Sequence, residues 1–501
     1  MSNSMTRRSF LQTSGAAALG LTIVPNIVMG KSISGVTAPS DKLNIAAVGI
    51  SGMGKTNIGN VRTTENIVAL CDVDWKLAAS VFEANPDAKR YWDWRKMFDE
   101  MGRSIDAVIV ATADHTHAII AGTAMTLGKH TYVQKPLTHS VYESRLLTKL
   151  AEKHKVATQM GNQGSSNAGV RQTCDWIWNG EIGEVKRVDT FTDRPIWPQG
   201  LNTPKQPQWV PETLNWDLFT GPAKLVPFHE IYHPWNWRGW WNYGTGALGD
   251  MACHIMHPIF KALQLGYPTK VQGSSTMLLT DCAPTAQFVR YIFPARNIPS
   301  IKKVKFPEVE VNWYDGGIKP IMPPGWPAGR DLNSQGGAVI FYGTKDTLIC
   351  GCYGSGPWLL SGRKPEAPKT QREVLPVVEG RRGGLHEMDW VRACKESPEN
   401  RVQTASNFSE AGPFNEMVVM GVLAVRLQGL NKELEWNGEK MEFTNIGDND
   451  TVRMIIEDRF SVVDGDPKID PVRTDPINAK AFAQELIKHT YRDGWSLPAM
   501  P

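Results

Sequence analysis

Short apolar runs alternate with longer amphipathic segments over residues 41–163 of the chain. Runs of this kind, bounded by turn residues, are typical of parallel strands buried on both faces, whereas the segments between them have helical spacing. The predicted strands are 45–48, 66–72, 107–111, 130–133 and 156–159, and the predicted helices are 76–83, 95–101, 117–127 and 141–154. Because strand and helix alternate, we expect this first domain to be a doubly wound parallel sheet.

From residue 164 to about 490 the pattern changes, because most predicted strands are no longer followed by a helix. These strands are 185–193, 269–279, 286–293, 304–313, 338–343 and 347–353, and helices are predicted at 247–265, 386–395 and 415–428. Strands that follow one another without crossover helices usually pair antiparallel. The second domain, over 164–490, is therefore predicted to contain a mainly antiparallel sheet with helices.

A glycine-rich turn joins the first predicted strand to a helix. Gly49, Ser51, Gly52 and Gly54 form a variant of the G-x-G-x-x-G pattern, with Met53 inside it and Ser51 in place of the second glycine. Glycines let the backbone approach a pyrophosphate, whose charge then lies on the N–H groups at the helix start. The turn predicts a dinucleotide site in a Rossmann domain, and a glycine-rich surface turn is the alternative.

An acidic residue, Asp72, ends the second predicted strand eighteen residues after Gly54. A carboxylate at about this distance binds the adenosine ribose of NAD and repels the 2′-phosphate of NADP. We therefore expect NAD, with NADP as an alternative because Lys76 is nearby. Ligands of such sheets bind outside the carboxyl ends of the strands. The further candidates there are Thr112, Ala113, Asp114, His117, Gln134, Lys135, Asn162 and Gln163.

The chain resembles the Gfo/Idh/MocA family, which includes glucose-fructose oxidoreductase and inositol dehydrogenase. The resemblance rests on the glycine turn, on the segments 111–117 and 134–136, and on the segment GALGDMACH at 246–254. Ser51, Ala113 and Gln134 depart from the usual glycine, proline and glutamate. The resemblance implies that the second sheet is open with helices on one face, and we expect a homo-oligomer that forms through this open sheet.

Asp250 and His254 are the candidate catalytic pair of the second domain. They are four residues apart on the predicted 247–265 helix, so both side chains project from one face. A carboxylate beside an imidazole raises its basicity, which suits a general base for a hydroxyl proton, although such pairs are often structural. The resemblance implies that Lys135 meets the pair and hydrogen-bonds the reacting oxygen.

A rival interpretation comes from the segment HEIYH at 229–233, which fits the zinc-peptidase pattern. That chemistry needs both histidines on one helical face. Pro227 and Pro234 leave room for little helix, and a proline disfavours helical geometry at the residue before it. His257 could join Asp250 and His254 at a metal, but a structural histidine is favoured, and we expect no metal site.

Aromatic and arginine side chains suit the hydroxyls and C–H faces of sugars. Two segments supply them, one at 193–198 and one at 233–241. The residues predicted to face a carbohydrate substrate are Arg194, Trp197, His233, Trp237, Arg238, Trp240 and Trp241. The alternative is that these aromatic residues belong to the core or to a dimer interface.

The N-terminus predicts export. Arg7 and Arg8 precede a mildly apolar stretch, as in a twin-arginine signal, so we expect residues 1–30 to direct the protein to the periplasm. Their removal lowers the formal charge from +3 to +1, which gives no support for a nucleic-acid partner. No apolar run is long enough to span a membrane, and the seven scattered cysteines predict no disulfide framework.

These observations predict an exported NAD-dependent oxidoreductase that transfers a hydride between a nicotinamide and a hydroxyl-bearing carbon of a sugar, glycoside or cyclic polyol. Within the same family, the alternative is a redox glycosidase or epimerase, in which the cofactor is reduced and reoxidised in one cycle. The alternatives from other classes are a zinc hydrolase that uses the 229–233 segment and a sugar-binding protein without turnover.

Overall fold

The apolar runs of the first third of the chain form a six-stranded parallel sheet in the structure, a computed structural model that describes residues 41–365 and 386–501. The strands are β1 (Asn44–Val48), β2 (Asn66–Cys71), β3 (Lys89–Tyr91), β4 (Ala107–Val110), β5 (His130–Val133) and β6 (Thr158–Met160). The helices between them are α1 (Gly52–Val61), α2 (Trp75–Ala84), α3 (Trp94–Met101), α4 (Asp114–Thr126) and α5 (Val141–His154).

The strand order β3-β2-β1-β4-β5-β6 reverses between β1 and β4, where the chain switches from one half of the sheet to the other. The predicted doubly wound sheet is confirmed. The sequence pattern does not predict β3, because this strand has three residues and two of them are exposed and basic. Ligands of open parallel sheets bind at the point where the order reverses, so the candidate site should lie beyond the ends of β1 and β4.

The second sheet has nine strands in the order β13-β12-β11-β7-β10-β9-β8-β14-β15. Its strands are β7 (Val185–Phe191), β8 (Lys270–Ser275), β9 (Gln287–Phe293), β10 (Val309–Tyr314), β11 (Ala338–Gly343), β12 (Thr347–Gly351), β13 (Trp358–Leu359), β14 (Leu434–Asn437) and β15 (Glu442–Phe443). The pair β7 and β10 is parallel, and the other neighbours in the described sheet are antiparallel. The predicted mainly antiparallel sheet is therefore confirmed.

Seven helices accompany this sheet within the described residues. They are α6 (Ala168–Trp178), α7 (Trp216–Thr220), α8 (Gly246–Ile255), α9 (His257–Ala262), α10 (His386–Cys394), α11 (Phe408–Arg426) and α12 (Ala479–Ile487). The single helix predicted at 247–265 is wrong, because α8 ends at Ile255 and a second helix begins at His257. Pro258 explains the break, since proline cannot donate its backbone nitrogen and clashes with the carbonyl four residues earlier.

Two helices that come late in the chain pack against the first domain. On α10, Glu387 Oε1 accepts a hydrogen bond of 2.5 Å from Asn57 of α1. On α11, Glu416 pairs with Arg145 of α5 at 2.7 Å. Residues Asn44–Pro501 thus form one compact unit, in which the parallel sheet, its helices and the second sheet hold a shared cleft in place. Within the described residues, no helix is both long and apolar enough to cross a membrane.

Short strand pairs complete the C-terminal part of the chain. They are β16 (Thr451–Val452), β17 (Ile455–Glu457), β18 (Phe460–Val463), β19 (Asp466–Ile469), β20 (Val472–Arg473) and β21 (Ile477–Asn478). They pair as β16 with β21, β17 with β20 and β18 with β19, outside the two large sheets. The predicted signal at 1–30 lies outside the described residues.

Candidate active site

The glycine turn after β1 is packed too tightly for other residues at two of its positions. A Cβ at Gly49, where φ is +75°, would lie 2.5 Å from the carbonyl oxygen of Ala111, and a Cβ at Gly54 would lie 2.0 Å from the carbonyl oxygen of Gly49. At Gly52, by contrast, a Cβ would meet open space. The turn therefore lies directly on the end of β4 and leaves room on its other side.

The helix that follows this turn has an N-terminus suited to an anion. Ser51 is the N-cap of α1, makes no side-chain capping bond, and is followed by no acidic residue in the first turn. Helix N-termini attract phosphate through their backbone N–H groups and dipole. Together with the open space at Gly52, this arrangement fits the pyrophosphate of NAD.

The carboxylate of Asp72 is held at the end of β2 by backbone amides. Its Oδ2 accepts a hydrogen bond from Ile50 N at 2.8 Å, and its Oδ1 accepts one from Asp74 N at 2.9 Å. Burial raises the pKa of Asp72, against the opposing effect of these amides. Asp72 thus braces the glycine turn from the position at which a ribose contact is predicted.

A cleft with an empty volume of about 1100 Å³ runs along the carboxyl ends of the strands. The residues predicted to bind the cofactor that line it are Gly49, Ser51, Gly52, Met53, Asp72, Thr112, Ala113, Gln134 and Lys135. His233, Trp235, Trp237 and Arg238 of the second domain line its opposite side. The structure therefore brings these nine predicted cofactor residues and part of the predicted substrate wall into one cavity.

Four other residues predicted to bind the cofactor do not line the cleft, and three of them form hydrogen bonds to neighbouring segments of the chain. Asp114 Oδ2 accepts hydrogen bonds from Thr245 N at 3.1 Å and Thr245 Oγ1 at 2.8 Å. The ring of His117 lies between the carbonyl oxygens of Pro136 and Thr112, at 2.8 and 3.0 Å. Asn162 donates to Cys253 O at 3.4 Å, and Gln163 begins a turn of 3-10 helix. We therefore assign these four residues, like Gly54, a supporting position behind the cleft.

The candidate catalytic lysine and aspartate meet beside this cleft, which Lys135 lines and which Asp250 and His254 do not. Lys135 Nζ lies 2.5 Å from Asp250 Oδ1, and Arg238 Nε lies 3.2 Å from the same oxygen. Burial favours the protonated form of Asp250, but the charges of Lys135 and Arg238 outweigh burial and hold its pKa well below its ordinary value. Asp250 is therefore an anion between two cations, and its contact with Lys135 is the one that the family resemblance implies.

The environment of His254 differs from the prediction. Burial, together with the charge of Lys135, lowers the pKa of His254 to about 3, and the opposing effect of Asp250 is too small to reverse this. Asp250 does raise the pKa of His254, as expected, but burial and the charge of Lys135 outweigh this effect, so the imidazole is less basic than a free histidine. His254 is a neutral imidazole, and its buried Nδ1 has no hydrogen-bond partner among the described residues.

Arg238 connects this charged cluster to the aromatic wall. Its guanidinium lies 4.0 Å from the ring centroid of Trp235 and 4.2 Å from that of Trp237. Within the part of the chain that the structure describes, its buried Nη1 has no hydrogen-bond partner. Because an unpaired buried donor is costly, this nitrogen is well placed to bind a substrate oxygen.

The other residues predicted to face the substrate occupy different positions. Trp197, Trp240 and Trp241 are buried at 7, 2 and 5% exposure and do not line the cleft. Arg194 forms an ion pair with its neighbour Asp193. We do not assign these four residues to the substrate site, because the three tryptophans are buried and do not line the cleft, and Arg194 is paired with Asp193.

The 229–233 segment does not form the helix that a zinc-peptidase site needs. It consists of turns, and His233 Nε2 lies 2.9 Å from Asp74 Oδ2. His257 Nε2 lies 2.7 Å from Glu410 Oε1, so this histidine pairs with Glu410 and does not form a cluster with Asp250. Among residues 41–365 and 386–501, no three histidine, cysteine or acidic side chains are grouped to hold a metal ion.

Family comparisons agree with this geometry. Residues 43–162 match the model of an oxidoreductase family with an NAD-binding Rossmann fold, Gfo/Idh/MocA, and residues 182–292 match the C-terminal alpha/beta domain of that family. The chain belongs to the Gfo/Idh/MocA oxidoreductase family. Its first domain is accordingly an NAD-binding Rossmann domain.

Relatives in sequence include proteins named as glycosidases. A glycosyl hydrolase family 109 protein of Shewanella putrefaciens is 29% identical over 203 residues, which are 36% of this chain and 44% of that protein. An alpha-N-acetylgalactosaminidase of Shewanella oneidensis is 28% identical over the same length, with the same shares. The chain thus spans less than half the length of these curated relatives.

Solved structures with the same fold include two sugar or polyol enzymes. The WlbA dehydrogenase of Bordetella pertussis, in complex with NADH and UDP-GlcNAcA, has a TM-score of 0.54 and 14% identity, and the match covers 79% of this chain and 99% of that one. An inositol dehydrogenase homolog of Azotobacter vinelandii, with NADH and myo-inositol, has a TM-score of 0.51 and 15% identity, covering 79% and 98%. At such low identity the TM-scores show a shared fold.

Gln134, which departs from the glutamate usual in this family, has a clear structural role. Its Nε2 donates to Asn57 Oδ1 at 2.8 Å, and Asn57 donates in turn to Glu387 on α10. A carboxylate at position 134 could not donate to Asn57. The amide therefore links the strand end that carries Lys135 to the helix behind the glycine turn.

Several residues of the site carry no clear signal in the sequence. Trp92, Trp94 and Trp495 line the cleft, but the first two follow the unpredicted strand β3, and the third comes from the C-terminal tail. Tyr353 has a positive φ of 63°, and its ring centroid lies 4.6 Å from that of His254. A positive φ at a tyrosine is rare, but it is invisible in the sequence.

Proposed function

We propose that this protein transfers a hydride between NAD and a hydroxyl-bearing carbon of a sugar, glycoside or cyclic polyol. The observation that carries the proposal is the ion-pair cluster in which Asp250 holds Lys135 and Arg238, two residues that line the cleft of the NAD-binding domain. NAD, when bound, supplies a nicotinamide that accepts the hydride. The residues of the chain must then bind the substrate oxygen and take up its proton.

Lys135 is suited to hold the reacting oxygen. Its ammonium group has three N–H donors, and it contacts the Oδ1 and the backbone oxygen of Asp250 at 2.5 and 3.3 Å. One donor is left for a substrate oxygen, and Asp250 fixes the direction in which the group points. Because Asp250 remains ionised, the pair keeps Lys135 oriented across the pH range of ordinary enzymes.

His254 is the candidate acceptor of the substrate proton. It is neutral and buried, and its unpartnered Nδ1 shows that its hydrogen-bonding capacity is not used up by the protein. A base must be in its neutral form to accept a proton. Arg238, whose Nη1 is also unpartnered, would hold a second substrate oxygen beside the rings of Trp235 and Trp237.

A second candidate is cleavage of a glycoside through a transient oxidation, followed by return of the hydride. The relatives from Shewanella that are called glycosyl hydrolase family 109 proteins favour it. The same cluster serves both reactions, since each begins with removal of a hydride and a hydroxyl proton. An epimerase would use the same first step.

Mass spectrometry of the products distinguishes these reactions. The NAD-loaded protein is incubated with a panel of sugars, cyclic polyols and glycosides. Net oxidation lowers the product mass by two hydrogens and leaves reduced cofactor, whereas hydrolysis divides a glycoside with the addition of water and leaves the cofactor oxidised. Unchanged substrates throughout the panel, with the cofactor bound, would favour a sugar-binding protein without turnover.

We further propose that the protein is exported to the periplasm and forms a homo-oligomer through the second sheet. Export is supported by Arg7, Arg8 and the apolar stretch after them. A cofactor that is restored in each cycle would suit a compartment without free NAD, so export and the glycosidase candidate support one another.

A further inference from the structure

A second cavity, with an empty volume of about 780 Å³, lies apart from the catalytic cluster. It is lined by Trp241 and Asn242, which precede helix α8, by Arg426 at the end of α11, and by Phe482 and Glu485 of α12. The proposed reaction uses none of these residues.

Arg426 lines this cavity without a direct bonding partner among the described residues. Within residues 41–365 and 386–501 it makes no hydrogen bond or ion pair, and its Nε is buried without a partner. Its guanidinium carbon lies 5.4 Å from the ring centroid of Trp241 and 5.2 Å from that of Phe482. Arg426 is partly exposed, but its unpaired Nε is buried beside the two rings, and leaving a buried donor unpaired is costly, so this nitrogen points to a ligand acceptor.

Trp241 provides a second, independent indication. This residue is 5% exposed, and its indole Nε1 is buried without a hydrogen-bond partner in the described part of the chain. An indole nitrogen is a donor only. Two unpaired donors therefore line the same cavity, and both need an acceptor.

Three acidic residues line the cavity and accept hydrogen bonds from other donors; the first, Glu143, accepts one from the hydroxyl of Tyr491 at 2.7 Å. Glu485 accepts hydrogen bonds from Thr490 N at 2.8 Å and Thr490 Oγ1 at 2.7 Å. Asp281 accepts one from Thr203 Oγ1 at 2.7 Å. No hydrogen bond or ion pair joins them to Arg426, although the charges of Asp281 and Glu485 favour its protonated form. The acidic residues would repel a doubly charged ligand more strongly than a singly charged one.

We propose that this cavity binds a small monocarboxylate. A planar carboxylate matches the fork of the Arg426 guanidinium, and its remaining lone pairs accept the indole N–H of Trp241. The two aromatic rings lie beside the guanidinium and allow an apolar or sugar-like body on the carboxylate. This site is separate from Lys135 and Asp250, so its occupant does not need to be the substrate of the proposed reaction.

Titration calorimetry on the full chain saturated with NAD tests the proposal. The probes are sodium acetate, sodium glucuronate and sodium sulfate, each at constant ionic strength. We expect saturable binding of at least one carboxylate, weakened at least tenfold in Arg426→Leu and severalfold in Trp241→Phe. The exposed Arg453 provides the control, because Arg453→Leu removes the same charge elsewhere and should leave binding unchanged.

Three results would overturn the proposal. The first is no saturable carboxylate binding to the unmutated protein, and the second is equal affinity in the unmutated protein and Arg426→Leu. The third is sulfate binding as tight as that of either carboxylate, since this would exclude a preference for a monocarboxylate. If Arg426→Leu does not fold, Arg426→Lys replaces it, because lysine keeps the positive charge but cannot bind a carboxylate through two parallel N–H groups. Unchanged carboxylate affinity in both Arg426→Lys and Trp241→Phe would also reject the site.

Discussion

Lys135 Nζ and Asp250 Oδ1 lie 2.5 Å apart, although the two residues are 115 positions apart in the chain. The lysine follows the parallel strand β5, and the aspartate is on α8 in the second domain. Their contact joins the NAD cleft to the helix that also carries His254. The geometry of the proposed reaction therefore depends on both sheets being held in place.

Gly54→Ala should greatly weaken NAD binding. A Cβ at this position would lie 2.0 Å from the carbonyl oxygen of Gly49, so the turn would have to move away from β4. The matched control is Gly59→Ala in the same helix, where a Cβ meets nothing within 4 Å. Alanine is the better helix former by about 1 kcal/mol, so the control should bind NAD normally and be slightly more stable. Equal NAD affinity in the two variants would show that the turn does not hold the cofactor.

Asp72→Asn should narrow the preference for NAD over NADP. The carboxylate that would repel a 2′-phosphate is removed, while the amide oxygen can still accept one of the hydrogen bonds from Ile50 and Asp74. Calorimetric affinities for both cofactors provide the measurement. Asp93→Ala, which removes a helix cap on the adjacent α3, should leave the preference unchanged. Equal affinities of the unmutated protein for NAD and NADP would contradict this assignment.

Asp114 should make the free energy of unfolding depend on pH. Burial raises its pKa to about 7 in the folded protein, against the opposing charge of Arg238. An unfolded carboxyl titrates at about 3.9, so the folded state holds a proton that the unfolded state has lost between these values. The stabilising contribution of Asp114 to the free energy of unfolding is therefore fully present below about pH 4 and is lost as the pH rises through about 7.

Asp114→Asn tests this dependence by urea unfolding at several pH values. The free energy of unfolding of the unmutated protein minus that of the variant should fall as pH rises from about 4 to 7, with a slope of up to about 1.4 kcal/mol per pH unit. Asn keeps an oxygen for the hydrogen bonds from Thr245. A difference that is flat across this range would show that Asp114 is ionised throughout.

Much of this architecture can be predicted from the sequence, because the relevant signals are local. The β1 strand, the glycine turn and Asp72 lie within thirty residues of one another. A short buried run followed by closely spaced glycines is typical of a strand that leads into a phosphate-binding turn. The strand 130–133 and the helix 141–154 have the predicted bounds. The spacing of Asp250 and His254 likewise places both on α8.

The rest depends on long-range packing. Nothing near His254 in the sequence shows that this residue is buried close to Lys135, so the lowering of the pKa of His254 could not be predicted. The sugar-facing role predicted for Trp240 and Trp241 could not be separated from a core role, because aromatic residues serve both. Trp495 reaches the cleft from the other end of the chain.

Replacement of Arg7 and Arg8 by lysine should leave the precursor in the cytoplasm. A twin-arginine receptor reads the pair of guanidinium groups, which lysine does not reproduce. Cell fractionation and immunoblotting give the measurement, and replacement of Arg62 and Arg90 by lysine is the matched control. Unchanged periplasmic yield of the Arg7 and Arg8 variant would show that export, if it occurs, uses another signal.

The central claim is that Lys135 holds the reacting oxygen while NAD accepts the hydride. Its most direct test is a single-turnover measurement of nicotinamide reduction by a substrate from the panel, in the unmutated protein and in Lys135→Met. The rate should fall by about 10² to 10⁴, as for loss of a positioned acid or base, while NAD affinity stays within a few-fold. The control is Lys149→Met on α5, which replaces a half-exposed lysine, and this variant protein should reduce the cofactor at the unmutated rate. Reduction at the unmutated rate by a folded, NAD-bound Lys135→Met protein would contradict the account.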